Sequence, residues 1–241
     1  MTNEYNDAET ENRGLITELG HAFDSRRNFL KKGIVATTAG LGLSAGTGTV
    51  GASGGSDDGS GNKYVEPLNY ALTLERLEST FYERGLDEFS EDELVGSDLI
   101  QRFGDPVQST LYDQLTMIRD HEQAHVDALV STIEDLGGQP VGEDDIEFQF
   151  DLGSPETFIE TAATLETTGV SAYDGAISQF SGSDELLTAA ATIATVEGRH
   201  SAYLNGLTGK SPFPEAFDEA LKPAEVLEAI QPFIVSETTT Q

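Results

Sequence analysis

Cysteine is absent from all 241 residues. Disulfides, thiolate metal sites, iron–sulfur clusters and cysteine nucleophiles are therefore excluded. Any metal would have to be held by carboxylate and imidazole, and imidazole is scarce too: the histidines are His21, His121, His125 and His200. Positive charge is the next shortage. Lys and Arg number 13 against 43 Asp and Glu, a formal net charge of −30. The acids are spread along the chain rather than gathered in a tail. Such a surface repels nucleic acid and anionic membranes at ordinary salt, so no nucleic-acid partner is expected. Self-repulsion of this size destabilises a compact state unless salt screens it, and at molar salt the Debye length is about 3 Å. Apolar residues make up 37% of the chain and recur with helical spacing, which argues against a disordered polyanion. A halophilic origin accounts for both features.

A long apolar run is missing as well. The weakly apolar stretch Gly33–Val50 is too short and too rich in glycine for a membrane span. It follows Ser25-Arg26-Arg27-Asn28-Phe29-Leu30-Lys31, which matches the twin-arginine export signature through Arg26 and Arg27. Val50-Gly51-Ala52 offers a small-residue cleavage site, and no cysteine stands there to take a lipid anchor. Residues 1–52 are therefore expected to be leader and signal, and His21 to have no role in the mature protein. The mature protein is expected to be exported, extracellular or at the cell surface, with no integral membrane span. Residues 53–62 are rich in Gly, Ser and Asp and read as a flexible linker.

From Lys63 the apolar spacing steps by three and four, which keeps side chains on one helix face. Four segments show it. Pro67–Arg84 carries Leu68, Leu72, Glu75, Ser79 and Tyr82. Val107–Leu136 carries Leu111, Leu115, Ile118, Glu122, His125, Leu129 and Leu136. Pro155–Phe180 carries Ile159, Ala163, Glu166, Val170, Tyr173 and Ile177. Asp184–Leu207 carries Leu186, Ala190, Ile193, Glu197, His200, Leu204 and Leu207. Ser154-Pro155 and Ser183-Asp184 supply N-terminal caps, and Gly137-Gly138 and Gly209 supply stops. Ile146–Phe150 alternates and is expected to be extended, while Pro223–Ile230 reads as a short additional helix. The architecture predicted is all-α: a four-helix bundle over 63–209 with a long crossover, and an extension over 210–241 that ends in a frayed tail.

Each stripe places an ionisable residue where the pattern calls for core. Burying a carboxylate or imidazole without a partner costs several kcal/mol, roughly, so something cationic is required. Two divalent ions would serve. Acids are plentiful, so any one glutamate is weak evidence, but both Glu-x-x-His motifs fall in the same apolar frame. Leu115, Ile118, Glu122, His125, Leu129 answers Ala190, Ile193, Glu197, His200, Leu204 position for position. Glu75 precedes Tyr82 by seven residues, as Glu166 precedes Tyr173, so the chain reads as two copies of one hairpin. The first copy carries an acidic insert around Asp87–Pro106, with room for a short helix. Glu78, one turn after Glu75, could replace it. His121 is expected at the surface or beside a ligand.

One Glu from each of two helices plus a Glu-x-x-His from each of two others resembles the ferritin-like dimetal carboxylate proteins. Leu68–Glu75 and Pro212–Phe217 resemble, less specifically, exported ferritin-like proteins related to desiccation-associated proteins. The resemblance implies one ion at Glu75 and His125, another at Glu166 and His200, and bridging by Glu122 and Glu197. It also implies that Tyr82 and Tyr173 hydrogen-bond ligand carboxylates, although ordinary core tyrosines would fit the same positions. The donor set suits two iron or manganese ions, with zinc able to compete. The implied activity is Fe(II) oxidation or removal of oxygen or peroxide under stress. A non-catalytic metal-binding or structural stress protein is the alternative.

Overall fold

The first long helix, α1 (Val65–Glu88), begins two residues before the expected Pro67. Proline is tolerated there because the first-turn N–H it lacks would have no intrahelical acceptor. The computed structural model of the chain describes residues 62–235. The expected leader with Arg26 and Arg27, the cleavage site at Ala52, residues 53–61 of the linker and the tail 236–241 lie outside the described residues.

After α1 come the short helices α2 (Glu91–Gly96) and α3 (Asp105–Gln108), then α4 (Leu111–Asp135), α5 (Pro155–Ala176), α6 (Asp184–Leu207) and α7 (Pro223–Ile230). The bundle is α1, α4, α5 and α6, with α1 on α4, α5 on α6 and α1 crossing α5. The architecture is all-α: among the described residues there is no strand, only an isolated antiparallel bridge between Phe148 and Ile234.

Local chemistry sets the boundaries. Ser154 accepts a hydrogen bond from the Thr157 amide at 3.1 Å, with Pro155 at the first helical position, and so starts α5. Ser183 caps α6 through the Leu186 amide. Gly137 and Gly209 adopt φ of 74° and 79°, the left-handed conformation that ends α4 and α6. Three expected ranges are corrected, the first being that α1 runs four residues past the expected Arg84, to Glu88. The second bundle helix starts at Leu111 rather than Val107, because Pro106 and Gly104 build a separate turn, α3. The third ends its α portion at Ala176, and Ile177–Phe180 continues as a 3-10 turn. The insert thus holds two short helices, the first fixed by a reciprocal cap between Ser90 and Glu93.

Two apolar layers fill the bundle. One contains Leu77, Phe81, Leu111, Leu115, Ile118, Phe158 and Leu204. The other contains Leu68, Leu72, Val126, Leu129, Ile133, Phe180 and Ala190. Each fully buried Leu, Ile or Phe stabilises the fold by about 1.5–3 kcal/mol. On α4 the change of layer falls between Ile118 and Val126, and on α6 between Ala190 and Leu204. Those two gaps hold Glu122 with His125, and Glu197 with His200. The bundle interior is therefore apolar, ionisable, apolar along its length.

The crossover runs Ile146–Phe150 as extended chain, and Phe148 is buried. Its backbone pairs with the C-terminal extension through Gln149 N–H to Phe233 O and Val235 N–H to Glu147 O, both 2.9 Å. Val226 and Ile230 of α7 are buried. No helix among the described residues is long and apolar enough to cross a membrane.

Candidate metal centre

Glu75, Glu122, Glu166 and Glu197 are each 0% exposed, and His200 is also buried. His125 keeps 12% of its side chain accessible and so forms the outer edge of the cluster. The six side chains come from four helices into one layer. Two overlapping sets form, Glu75, Glu122, His125 and Glu197, and Glu122, Glu166, Glu197 and His200. Within each set one donor atom from every residue lies within 4.8 Å of the others. Glu122 and Glu197 belong to both sets.

His125 Nδ1 lies 3.0 Å from Glu75 Oε2, 3.2 Å from Glu122 Oε2 and 3.2 Å from Glu197 Oε1. His200 Nδ1 lies 2.9 Å from Glu122 Oε1 and 3.2 Å from Glu166 Oε2. One imidazole N–H serves one acceptor well, so these contacts leave acceptors over. Glu122 Oε1 and both oxygens of Glu197 are buried and accept no well-directed hydrogen bond. Natural proteins rarely leave buried polar atoms so, and a cation bound by all of them removes the cost. The residues present therefore fit a pair of metal ions.

The electrostatics agree. Burial, then repulsion from Glu166, pushes the Glu122 carboxyl up from 4.5 to about 7. Burial, then Glu122, pushes Glu197 well above the carboxylate range. Burial is the largest single influence on Glu75 and would raise it, but attraction to His125 and hydrogen bonds with His125, Glu122 and Tyr173 together hold this carboxyl low. His200 resists its burial through its close contacts with Glu122 and Glu166, which hold it at about 9. His125 is likewise held well above its usual range, chiefly by Glu75 against its own burial.

The tyrosines close the layer. Tyr82 donates to Glu166 Oε1 at 2.6 Å, and Tyr173 donates to Glu75 Oε1 at 2.5 Å. Each tyrosine thus reaches the glutamate of the other hairpin, which requires α1 and α5 to run antiparallel. Spacing alone shows only that Glu and Tyr share a face.

Two residues depart from the expected stripe. Ser79 is half-buried and hydrogen-bonds Gln123 at 3.2 Å, while Glu78 turns inward and is 3% exposed. Glu78 lies outside both donor sets, and Glu75 lies inside one. Burial, then Glu197, pushes the Glu78 carboxyl well above its ordinary range. His121 is exposed, yet its Nδ1 sits 3.0 Å from His200 Nε2, with the ring planes 15° apart and the centroids separated by 5.3 Å. The sequence placed it only at the surface or beside a ligand, as one of three histidines after residue 52.

The ferritin-like domain family matches residues 63–210. The chain belongs to it. No curated protein sequence matches the chain. The span matched to the ferritin-like domain contains all four bundle helices and every member of both donor sets.

Proposed function

We propose that this ferritin-like domain binds two metal ions and works as a dimetal oxidoreductase, oxidising Fe(II) or removing oxygen or peroxide. The observation that supports it best is the pair of donor sets sharing Glu122 and Glu197, three of whose oxygens accept no hydrogen bond. Glu75 and His125 would hold one ion, Glu166 and His200 the other, and Glu122 and Glu197 would bridge. Iron or manganese suits carboxylate-rich donors with one imidazole each and, once bound, supplies a two-electron change shared between neighbours. Zinc would use the same donors without redox chemistry.

The chain's own residues set the conditions. Tyr82 and Tyr173 hold the terminal carboxylates, which fixes where their free oxygens point. The apolar layers above and below exclude water. His125, with 12% of its side chain accessible, marks the edge of the donor sets nearest solvent. Export by the twin-arginine route, as a folded and already metal-loaded protein, is part of this reading, as is a high-salt habitat.

A non-catalytic reading rests on one observation. The donors come from all four bundle helices and meet in the interior, so bound ions would stabilise the bundle whether or not they turn over. Metal analysis of protein folded at high salt decides the first point. About two ions per chain are expected, and they should be lost in Glu122→Ala/Glu197→Ala. A chain that binds no metal and ignores chelators in thermal melts overturns the proposal. Oxygen or peroxide consumption with Fe(II) or Mn(II) then separates turnover from binding alone.

A further inference from the structure

The two halves of the ionisable layer repeat one pattern, but their outer edges differ. His200 turns Nδ1 toward Glu122 and Glu166, which leaves Nε2 as its second ring nitrogen. That nitrogen meets Nδ1 of His121 at 3.0 Å. On the other side, the contacts of His125 with the carboxylates all run through Nδ1, and no hydrogen bond reaches its Nε2 among the described residues. The position that corresponds to His121 in the second motif is Val196, which offers no acceptor.

We infer that His121 is a positioning residue for His200, so that the two metal positions are unequal and the one at Glu166 and His200 binds more tightly. This rests on the dimetal reading. A histidine that gives the Nδ1 lone pair to a metal must carry its proton on Nε2. His200 Nε2–H then donates to His121 Nδ1, and the His121 proton sits on its own Nε2, facing solvent. The contact fixes both the tautomer and the ring plane of His200. A metal-bound imidazole usually finds such an acceptor in a carboxylate, a backbone carbonyl or water, and its loss typically weakens binding about 10–100-fold. Here a second imidazole, placed one residue before Glu122 and so turned toward α6, takes that part. The side chain is exposed, so replacing it leaves the apolar layers untouched.

Titrating the stripped full chain with Mn(II) in molar KCl, and following free Mn(II) by its EPR signal, tests this. The wild-type chain should take up two ions with distinct affinities. His121→Ala should weaken the tighter step about 10–100-fold. His121→Asn places Oδ1 near the former Nδ1 and should restore most of the loss, whereas His121→Leu should not. In His125→Ala the tight ion should remain, and adding His121→Ala should weaken it. Two unchanged steps in His121→Ala, or equal weakness in His121→Asn and His121→Leu, overturn the inference and leave the dimetal reading standing. Failure of the wild-type chain to bind Mn(II) at all overturns both.

Discussion

Tyr173 on α5 donates its hydroxyl proton to Oε1 of Glu75 on α1 at 2.5 Å, and Glu75 has no exposed surface. Tyr82 makes the reciprocal contact with Glu166 at 2.6 Å. Each bond therefore ties one hairpin to the other through a carboxylate of the candidate centre. Tyr173→Phe keeps the ring packing and removes the only hydroxyl donor to that oxygen among the described residues. A buried acceptor left without a donor costs about 1–3 kcal/mol, and this loss should appear in urea unfolding of the metal-free protein. Mn(II) affinity should fall as well, by about 10–100-fold. Tyr82→Phe should do the same at Glu166. Tyrosines that merely fill the core would lose neither stability nor metal on this change.

The pH dependence of the stripped protein has a definite sign. Glu122 titrates near 7 when folded and near 4.5 otherwise, so its contribution is fully present below 4.5 and is lost as pH rises through about 7. His200 is raised from 6.5 to about 9, so the stability it contributes is present below 6.5 and lost as pH rises through about 9. Glu75 is shifted the opposite way and contributes above its ordinary value, being lost only toward acid. The chelator-treated protein should therefore lose thermal stability from about pH 5 to pH 9. Metal favours the same deprotonated donors, so the melting-temperature gain on adding Mn(II) should widen over that range. A gain that shrinks with rising pH would contradict the donor assignment.

Salt should act strongly on the whole fold. The described arginines form ion pairs with Glu143 and Asp120, through Arg76 and Arg119, and these cannot offset a net charge of −30. Repulsion among the remaining surface acids is screened only as the Debye length shrinks from about 8 Å at physiological salt toward about 3 Å at 1 M. The thermal midpoint should keep climbing between 0.2 M and 2 M KCl. A midpoint that levels off near physiological salt would remove the case for a halophilic fold.

The four stripes and the paired Glu-x-x-His motifs were legible because helix periodicity is a local property. Leu115, Ile118 and Glu122 share a face whatever lies opposite. The donor groups were legible for the same reason, since four inward faces leave their polar members only one place to meet. What lay across the bundle was not. Nothing local says that Tyr82 reaches Glu166 rather than Glu75, because that depends on the relative direction of α1 and α5. Spacing put Ser79 on the inner face, whereas α1 leaves Ser79 half-buried and turns Glu78 inward. His121 could be read only as a surface or ligand-adjacent residue, because it leaves the core stripe and its partner comes from another helix.

Glu78 and Gly169 occupy equivalent places in the two hairpins, each three residues after a terminal glutamate of the candidate centre. The structure shows why only one of them carries a side chain. A Cβ on Gly169 would lie 3.0 Å from Glu78 Oε1 and 3.3 Å from Glu197 Oε2. Gly169 therefore leaves room for the tips of one buried acid and one shared donor. Both tips belong to flexible side chains that can give by a few tenths of an ångström, and alanine favours the helix over glycine by about 0.8–1 kcal/mol. Gly169→Ala should thus keep folding stability, or raise it by up to about 1 kcal/mol. Moving Glu197 Oε2, however, disturbs a donor that both ion positions share, so Mn(II) affinity should drop. Glu78→Ala removes one of the two crowded tips, and the penalty of Gly169→Ala on metal binding should be smaller in that background. Equal penalties in the two backgrounds would mean that Glu78 and Gly169 do not share this space.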